Sequence, residues 1–408
     1  MTAHGYLESL APFGMKLGLE RITALLEELE APQERLDAIH VVGTNGKSST
    51  VRFAAAALSA SGLRTGAYLS PHVIDWDERV QIDGRPIGPA AFTLALDRVQ
   101  EAARAVERER GEGPTQFEAL TAAAFFVLAE AGVEACVVEA GLGGRHDATR
   151  VVDARVVGLT NIGLDHQRVL GETREEILAE KLAVLERGAA LCVGVVDDDL
   201  YAKAAALAAE AGARSERIAA GAGEGLPLRA GYLRDNAALA LRLAELFLAP
   251  RALERERAVA ALAAAVPPGR VELIGGSPPV LLDGAHNAEA VHALVAELDG
   301  VLGAARPRVG VVALQDDKPL AAMLGELATA LDALVATTSG HSGHARALPA
   351  EELAAAAQAA GFGDVTTEPD PLTALRLARE RAGAGGAVVV AGSLYLLERL
   401  RAAALEAR

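Results

Sequence analysis

Eight short apolar runs alternate with longer alanine-rich segments of helical period, and this alternation constrains the fold more than any other feature of the chain. The runs are 39–42, 135–139, 155–160, 191–196, 280–283, 308–314, 334–338 and 387–391. Strands separated by helical segments pair in parallel, because a parallel crossover needs a connection of helical length. The expected class is α/β, with mostly parallel sheets and helices on both faces. Eight strands exceed one comfortable sheet, and the densest turn chemistry of the second half lies at Val266-Pro267-Pro268-Gly269-Arg270, with 275–279 close behind. We therefore expect an N-terminal domain over 1–268, a linker over 269–279 and a smaller domain over 280–408. The stretch 197–234 has weak periodicity and reads as peripheral helices or a small excursion.

The first run leads into His40-Val41-Val42-Gly43-Thr44-Asn45-Gly46-Lys47-Ser48-Ser49-Thr50, a strand, a glycine turn and a helix start. Such a loop aims backbone N–H groups and a helix dipole at one point, where an anion can take the place of their missing partners. Lys47 adds a mobile charge for β and γ phosphates, and Ser48 or Ser49 offers a hydroxyl to Mg²⁺. Val41 stands where strict P-loop spacing wants glycine, so the loop is a variant. A plain glycine turn with a hydroxyl cap is the bland alternative. Scarcity argues against it: the chain has 34 arginines but only five lysines (Lys16, Lys47, Lys181, Lys203, Lys318) and four asparagines (Asn45, Asn161, Asn236, Asn287). A position that keeps a scarce type needs its chemistry. No Asn-Lys pair is available to read guanine, which leaves ATP as the expected nucleotide.

Further motifs accompany the loop: Leu17-Gly18-Leu19-Glu20-Arg21, Ser70-Pro71-His72, Asp77-Glu78-Arg79-Val80, Glu139-Ala140-Gly141-Leu142-Gly143-Gly144-Arg145, Asp165-His166, Asp283-Gly284-Ala285-His286-Asn287 and Gly392-Ser393. Together they resemble the Mur ligase superfamily, and within it the folylpolyglutamate synthases and dihydrofolate synthases. The resemblance implies a P-loop ATPase-type domain followed by a smaller Rossmann-like glutamate-ligase domain. It also implies ATP-dependent amide formation, through an acyl phosphate, between L-glutamate and a folate or dihydropteroate carboxylate.

By the same resemblance, Gly43, Thr44, Asn45, Gly46, Lys47, Ser48 and Ser49 bind ATP, with Asn236 at adenine and Arg270 and Asp283 as further ATP contacts. ATP would then lie between the two domains. Ser48, Ser70 and Glu139 would hold one Mg²⁺, while His166 and a carbamylated Lys181 would hold a second. Only a primary amine can be carbamylated, so arginine could not replace Lys181. Catalytic roles fall to Lys47, His166, Lys181 and His286. Thr115, Phe117, Arg145 and Asp147 match residues that hold dihydropteroate, and Arg79 is the candidate for a substrate carboxylate. Bland alternatives remain for several: a core aromatic for Phe117, a helix cap for Asn236 and for Asp283. His4, His40 and His292 read as surface or packing residues, and the role of Lys318 is open.

A net charge of -16, from 55 acidic against 39 basic side chains, opposes attraction to nucleic acid or anionic lipid. Cys136 and Cys192 sit in apolar runs and read as buried thiols of a reducing compartment. The first residues have no secretory pattern, and no apolar run is long enough to span a membrane, so a cytoplasmic monomer is expected. Two competitors stay open. Another Mur-type amide ligase would need room for a sugar-nucleotide domain before the phosphate loop, and a P-loop regulatory protein would leave the metal-site cluster without purpose.

Overall fold

The computed structural model describes residues 3–10, 18–72, 75–219, 221–339 and 346–406. Lys16 and Leu17 lie outside the described residues. The chain divides into two compact units, Met1–Val266 and Pro267–Arg408.

The first unit carries β1 (Ala38–Val42), β2 (Thr65–Tyr68), β3 (Val80–Ile82), β4 (Arg85–Pro86), β5 (Ala135–Glu139), β6 (Ala154–Leu159), β7 (Ala190–Val193) and β8 (Arg214–Arg217). They form one sheet in the order β4-β3-β2-β5-β1-β6-β7-β8. All pairs from β2 to β8 along that order are parallel; β3 and β4 run antiparallel at one edge. β1 is flanked on both sides and buried throughout, as Ala-Ile-His-Val-Val requires of a strand with no solvent face. The loops after β1, β2, β5 and β6 all leave the carboxyl edge of the parallel strands, where open α/β sheets bind their ligands.

The second unit carries β9 (Glu272–Ile274), β10 (Val280–Leu282), β11 (Arg308–Val312), β12 (Ala333–Ala336), β13 (Val365–Thr367) and β14 (Ala387–Ala391), in the order β13-β12-β11-β14-β10-β9. Only β9 is antiparallel to its neighbour.

Two readings change here. Residues 269–279 were expected as a linker, but Glu272–Ile274 within them is β9, paired with β10 as Ile274 to Val280 and Glu272 to Leu282. Two of its three residues are only half buried, so it leaves no apolar run in the sequence. The stretch 197–234 is neither only helical nor an excursion. After the helix Asp198–Ala211 it supplies β8, whose Arg-Ser-Glu-Arg closes the sheet edge.

The helix Gln116–Glu130 begins with a reciprocal cap, Thr115 accepting from the Glu118 N–H while Glu118 accepts from the Thr115 N–H at 2.7 Å. The same Glu118 carboxylate receives a fork from Arg21, at 3.2 Å from Nε and 3.1 Å from a terminal nitrogen, with both side chains buried. Arg21 belongs to the helix Glu20–Glu28, so the pair ties that helix to the start of Gln116–Glu130. Arg21→Met would strand a buried carboxylate and should lower the unfolding free energy by about 3–5 kcal/mol. In urea denaturation, Arg21→Met/Glu118→Gln, which keeps the cap without the charge, should recover much of that loss.

Candidate active site

The turn after β1 is built from glycines because nothing larger fits. Gly43 (φ 145°) faces the Thr160 hydroxyl, and Gly46 (φ 84°) faces the Asn236 amide, so a Cβ at either position would collide. The loop is then pinned to the residues that follow β6. Thr44 N–H donates to the Asn161 carbonyl at 3.0 Å, and Asn45 N–H donates to Asn161 Oδ1 at 2.9 Å. Thr160 Oγ1 donates to the Asn45 carbonyl at 2.6 Å, and Thr44 Oγ1 exchanges hydrogen bonds with the Gly163 backbone. Asn161 was marked by its scarcity but given no role in the sequence; its side chain and carbonyl are what hold the loop.

The helix Lys47–Ala60 starts directly from Gly46 with no side-chain cap, and Lys47 Nζ lies back over the loop, donating to the Gly43 and Thr44 carbonyls at 3.0 Å each. The structure separates the two serines. Ser48 Oγ donates to Glu139 Oε1 at 2.8 Å, whereas Ser49 Oγ is buried and, among the described residues, without a hydrogen-bond partner. The Asn236 amide lies against Gly46 of the phosphate loop, and Asn236 does not cap its helix. Gly231–Leu248 begins after Ala230, and Asn236 is a full turn inside it.

Glu139, at the end of β5 and 2% exposed, gathers the expected metal-site residues: Ser48 through its hydroxyl and Ser70 through its N–H at 3.0 Å. A buried carboxylate flanked by serines offers hard oxygen donors, which fits Mg²⁺. Among the described residues no three His, Cys, Asp or Glu side chains converge on one point.

Lys181 ends the helix Arg174–Leu182, which starts on a Thr173–Glu176 capping box. It is 4% exposed, and burial, helped by the nearby charge of Lys47, pushes its amine down to about 7 against the pull of Asp147, Asp165 and Glu180. His166 stands in a left-handed backbone conformation (φ 51°), with its N–H on Asp165 Oδ1 at 2.9 Å and its ring half exposed.

The candidate substrate residues fall into two groups. Arg79 is buried, donates from Nε to His72 Nδ1 at 2.9 Å and lies 5.0 Å from the Trp76 ring centroid. Burial and the guanidinium beside it push His72 down to about 3, so the imidazole is neutral and can accept. The second group surrounds the 141–147 loop. Phe117 is half buried, stacks on Tyr68 at 6.4 Å and fills the space beside Gly141, so it is both a packing residue and a wall of the loop. Thr115 is the helix cap already described. Asp147 is buried and accepts from Leu142 N–H at 2.7 Å and Thr149 N–H at 3.0 Å, while Arg145 is exposed and pairs with Glu180 at 3.1 Å.

In the second unit, Arg270, Asp283 and His286 sit together at the carboxyl end of β10. Asp283 accepts from Val271 and Ala285 N–H groups at 2.9 Å each, and the Arg270 guanidinium fills the space beside Gly284. His286 Nδ1 is 2.8 Å from the Gly284 carbonyl. Asp283 is not a helix cap: Asn287 caps Ala288–Leu302, accepting from Ala290 N–H at 2.9 Å. Lys318 is buried beside Asp317 at 3.6 Å.

The chain matches two family models, the Mur ligase middle domain over 41–230 and the Mur ligase glutamate ligase domain over 269–394. It is 30% identical over 426 residues to a Bacillus subtilis dihydrofolate synthase/folylpolyglutamate synthase, spanning 98% of this chain and 97% of that one. Among solved structures it is similar to Mycobacterium tuberculosis folylpolyglutamate synthase complexed with ADP (TM-score 0.89, 31% identity, 98% and 97% of the two chains). It is similar also to a bifunctional folylpolyglutamate synthase/dihydrofolate synthase with Mn, AMPPNP and L-glutamate bound (TM-score 0.85, 30% identity, 99% and 98%).

The buried Lys181 amine makes a prediction about stability. Between about pH 7 and the ordinary lysine value of 10.5 the unfolded chain keeps a proton that the folded chain has released, so this group destabilises the fold increasingly as pH falls through that window. Lys181→Met should therefore be more stable at neutral pH than the parent with its Lys181 amine unmodified. Urea denaturation of both proteins should show the gap closing as pH rises toward 10.5.

Proposed function

The chain belongs to the folylpolyglutamate synthase/dihydrofolate synthase family of Mur ligases, and on that premise we propose that it joins L-glutamate to a folate or dihydropteroate carboxylate at the expense of ATP. The single observation that carries the reading is the convergence of a pinned phosphate loop, Ser48, Ser70 and Glu139 at the carboxyl edge of one parallel sheet. A P-loop regulator has no use for the additional buried carboxylate and amine.

ATP phosphates rest on the amides of Gly43, Thr44, Asn45 and Gly46, with Lys47 held over the same loop by two carbonyls and so placed to follow the γ-phosphoryl group. Asn236 reads adenine from beside Gly46. Ser48, Ser70 and Glu139 would hold one Mg²⁺, and His166 and Lys181, the latter as a carbamate, would hold a second. When bound, the ions neutralise charge between phosphates and the incoming carboxylate. Burial that leaves Lys181 deprotonated near neutrality favours the carbamate, because the neutral amine is what adds to CO₂.

The acceptor carboxylate, aligned by Thr115, Phe117, Arg145 and Asp147 and by Arg79, attacks the γ-phosphorus. One O–P bond forms, the bridging bond to ADP breaks, and an acyl phosphate results. The neutral glutamate amine attacks the acyl carbon, phosphate leaves with the C–O electron pair, and the proton the nitrogen sheds on becoming an amide goes to the departing phosphate. Arg270, Asp283 and His286 are assigned to the nucleotide on the strength of the family resemblance and their clustering after β10. We further assign the enzyme to the cytoplasm as a monomer. Its net charge of -16 is against a nucleic-acid or membrane-surface partner, and no described helix is long and apolar enough to cross a membrane.

ADP release should require both glutamate and a pteroate or folate acceptor, and labelled glutamate should appear in the product; turnover with neither acceptor would defeat the reading. Lys47→Ala should abolish ligation in a folded protein, because the loop amides cannot supply a mobile cation. Lys181→Ala should lose activity that Lys181→Arg does not restore, whereas short carboxylic acids should restore part of it by filling the vacated oxygen positions. Full activity in Lys181→Arg would remove the carbamate.

A further inference from the structure

His40 sits in the middle of β1, paired with Val138 of β5 and Val157 of β6, and is 1% exposed. The other four residues of the strand are aliphatic, and an imidazole among them has to be justified by a partner. That partner is Thr149, whose Oγ1 lies 2.8 Å from His40 Nε2 and 2.5 Å from Asp147 Oδ1. Burial pushes His40 down to about 4, so the ring is neutral and carries one N–H at neutral pH. Burial pushes the Asp147 carboxyl up from its usual range, and the Thr149 hydroxyl and the Leu142, Thr149 and Gly141 N–H groups act against that shift; its Oδ1 already accepts from Thr149 N–H, so it also takes the single Thr149 hydroxyl proton as an acceptor. His40 Nε2 must then be the donor to Thr149, which fixes the tautomer.

The resulting chain runs His40 Nε2–H to Thr149 Oγ1–H to Asp147 Oδ1, and the other carboxylate oxygen holds the Leu142 N–H at 2.7 Å. We infer that His40 is a positioning residue for acceptor recognition, acting through Thr149 to orient the Asp147 carboxylate and the 141–147 loop toward the pteroate end of the substrate. Three residues further along the same strand the phosphate loop begins at Gly43, so one rigid element registers both the nucleotide loop and the acceptor carboxylate. The inference rests on the assignment of Asp147 to the acceptor. The polarised chain fixes where the carboxylate's remaining lone pairs point.

The test measures KM for dihydropteroate, ATP and glutamate separately, with kcat and thermal unfolding, in the full chain. His40→Leu and Thr149→Val should each raise the acceptor KM about tenfold, the size of one lost buried hydrogen bond, while leaving KM for ATP and glutamate within about twofold. His40→Gln, which places an amide N–H at similar reach, and Thr149→Ser should return the acceptor KM to within about threefold of the parent. The double variant His40→Leu/Thr149→Val should be no worse than the worse single one, as expected of two links in one chain. If Asp147→Asn raises the acceptor KM and His40→Leu does not, the relay is refuted and the Asp147 assignment survives. If Asp147→Asn leaves the acceptor KM unchanged, both fall. A parallel rise in all three KM values, or His40→Gln no better than His40→Leu, reduces His40 to a packing role and overturns the inference. Should His40→Leu not fold, the Thr149→Val and Thr149→Ser pair decides by the same criterion.

Discussion

Everything at the candidate site depends on β1 lying between β5 and β6. That neighbour order puts Gly43–Lys47, Glu139 and Thr160–Asn161 at one carboxyl edge, although nearly 100 residues separate the first pair in sequence. Parallel pairing is slow to form because such long-range contacts must close large loops. Once formed, it holds three loops in a register that no local sequence could set. The glycines then act as spacers: Gly43 and Gly46 let the Thr160 hydroxyl and the Asn236 amide approach the backbone to distances a side chain would forbid.

The buried carboxylates around this edge each have hydrogen-bond partners, whereas the buried Ser49 hydroxyl has none among the described residues. Glu139 is satisfied by Ser48 and Ser70, Asp147 by Leu142 and Thr149, and Glu118 by Arg21 and its own cap. Lys181 differs, since burial and the neighbouring Lys47 work against its charge. A fold that tolerates such a lysine gives up stability for reactivity, a trade commonly found at sites of chemistry.

The eight apolar runs all became strands, β1, β5, β6, β7, β10, β11, β12 and β14, and every residue in them except Arg155 of β6 is buried. The strands with no signal are short and mostly marginal to the sheets, as β3, β4, β8, β9 and β13 are, or small in side chain, as Thr-Gly-Ala-Tyr of β2 is. Periodicity reports burial, so a strand with one open side or three residues leaves little trace. The phosphate loop and the Glu139 motif could be read because their chemistry is local or tied to a family pattern. The work of Asn161, Arg21 and His40 could not, because each acts on a residue about 100 positions away, and only the scarcity of asparagine pointed at the first. For Asn236 the helix cap was the bland alternative, and the helix boundary removes it, since a cap and a residue one turn inside a helix look alike in sequence.

The two ends of the larger sheet have a consequence for how the protein behaves in bulk. One edge is Arg85-Pro86, both exposed, and the other is Arg214-Ser215-Glu216-Arg217, whose Glu216 is gripped by Arg242 and whose Arg217 pairs with Asp198. Proline withholds a donor, and charged side chains penalise stacking of like edges. A chain that is half hydrophobic by composition and rich in alanine thus carries, at both edges of its larger sheet, features that oppose pairing with the edge of another copy.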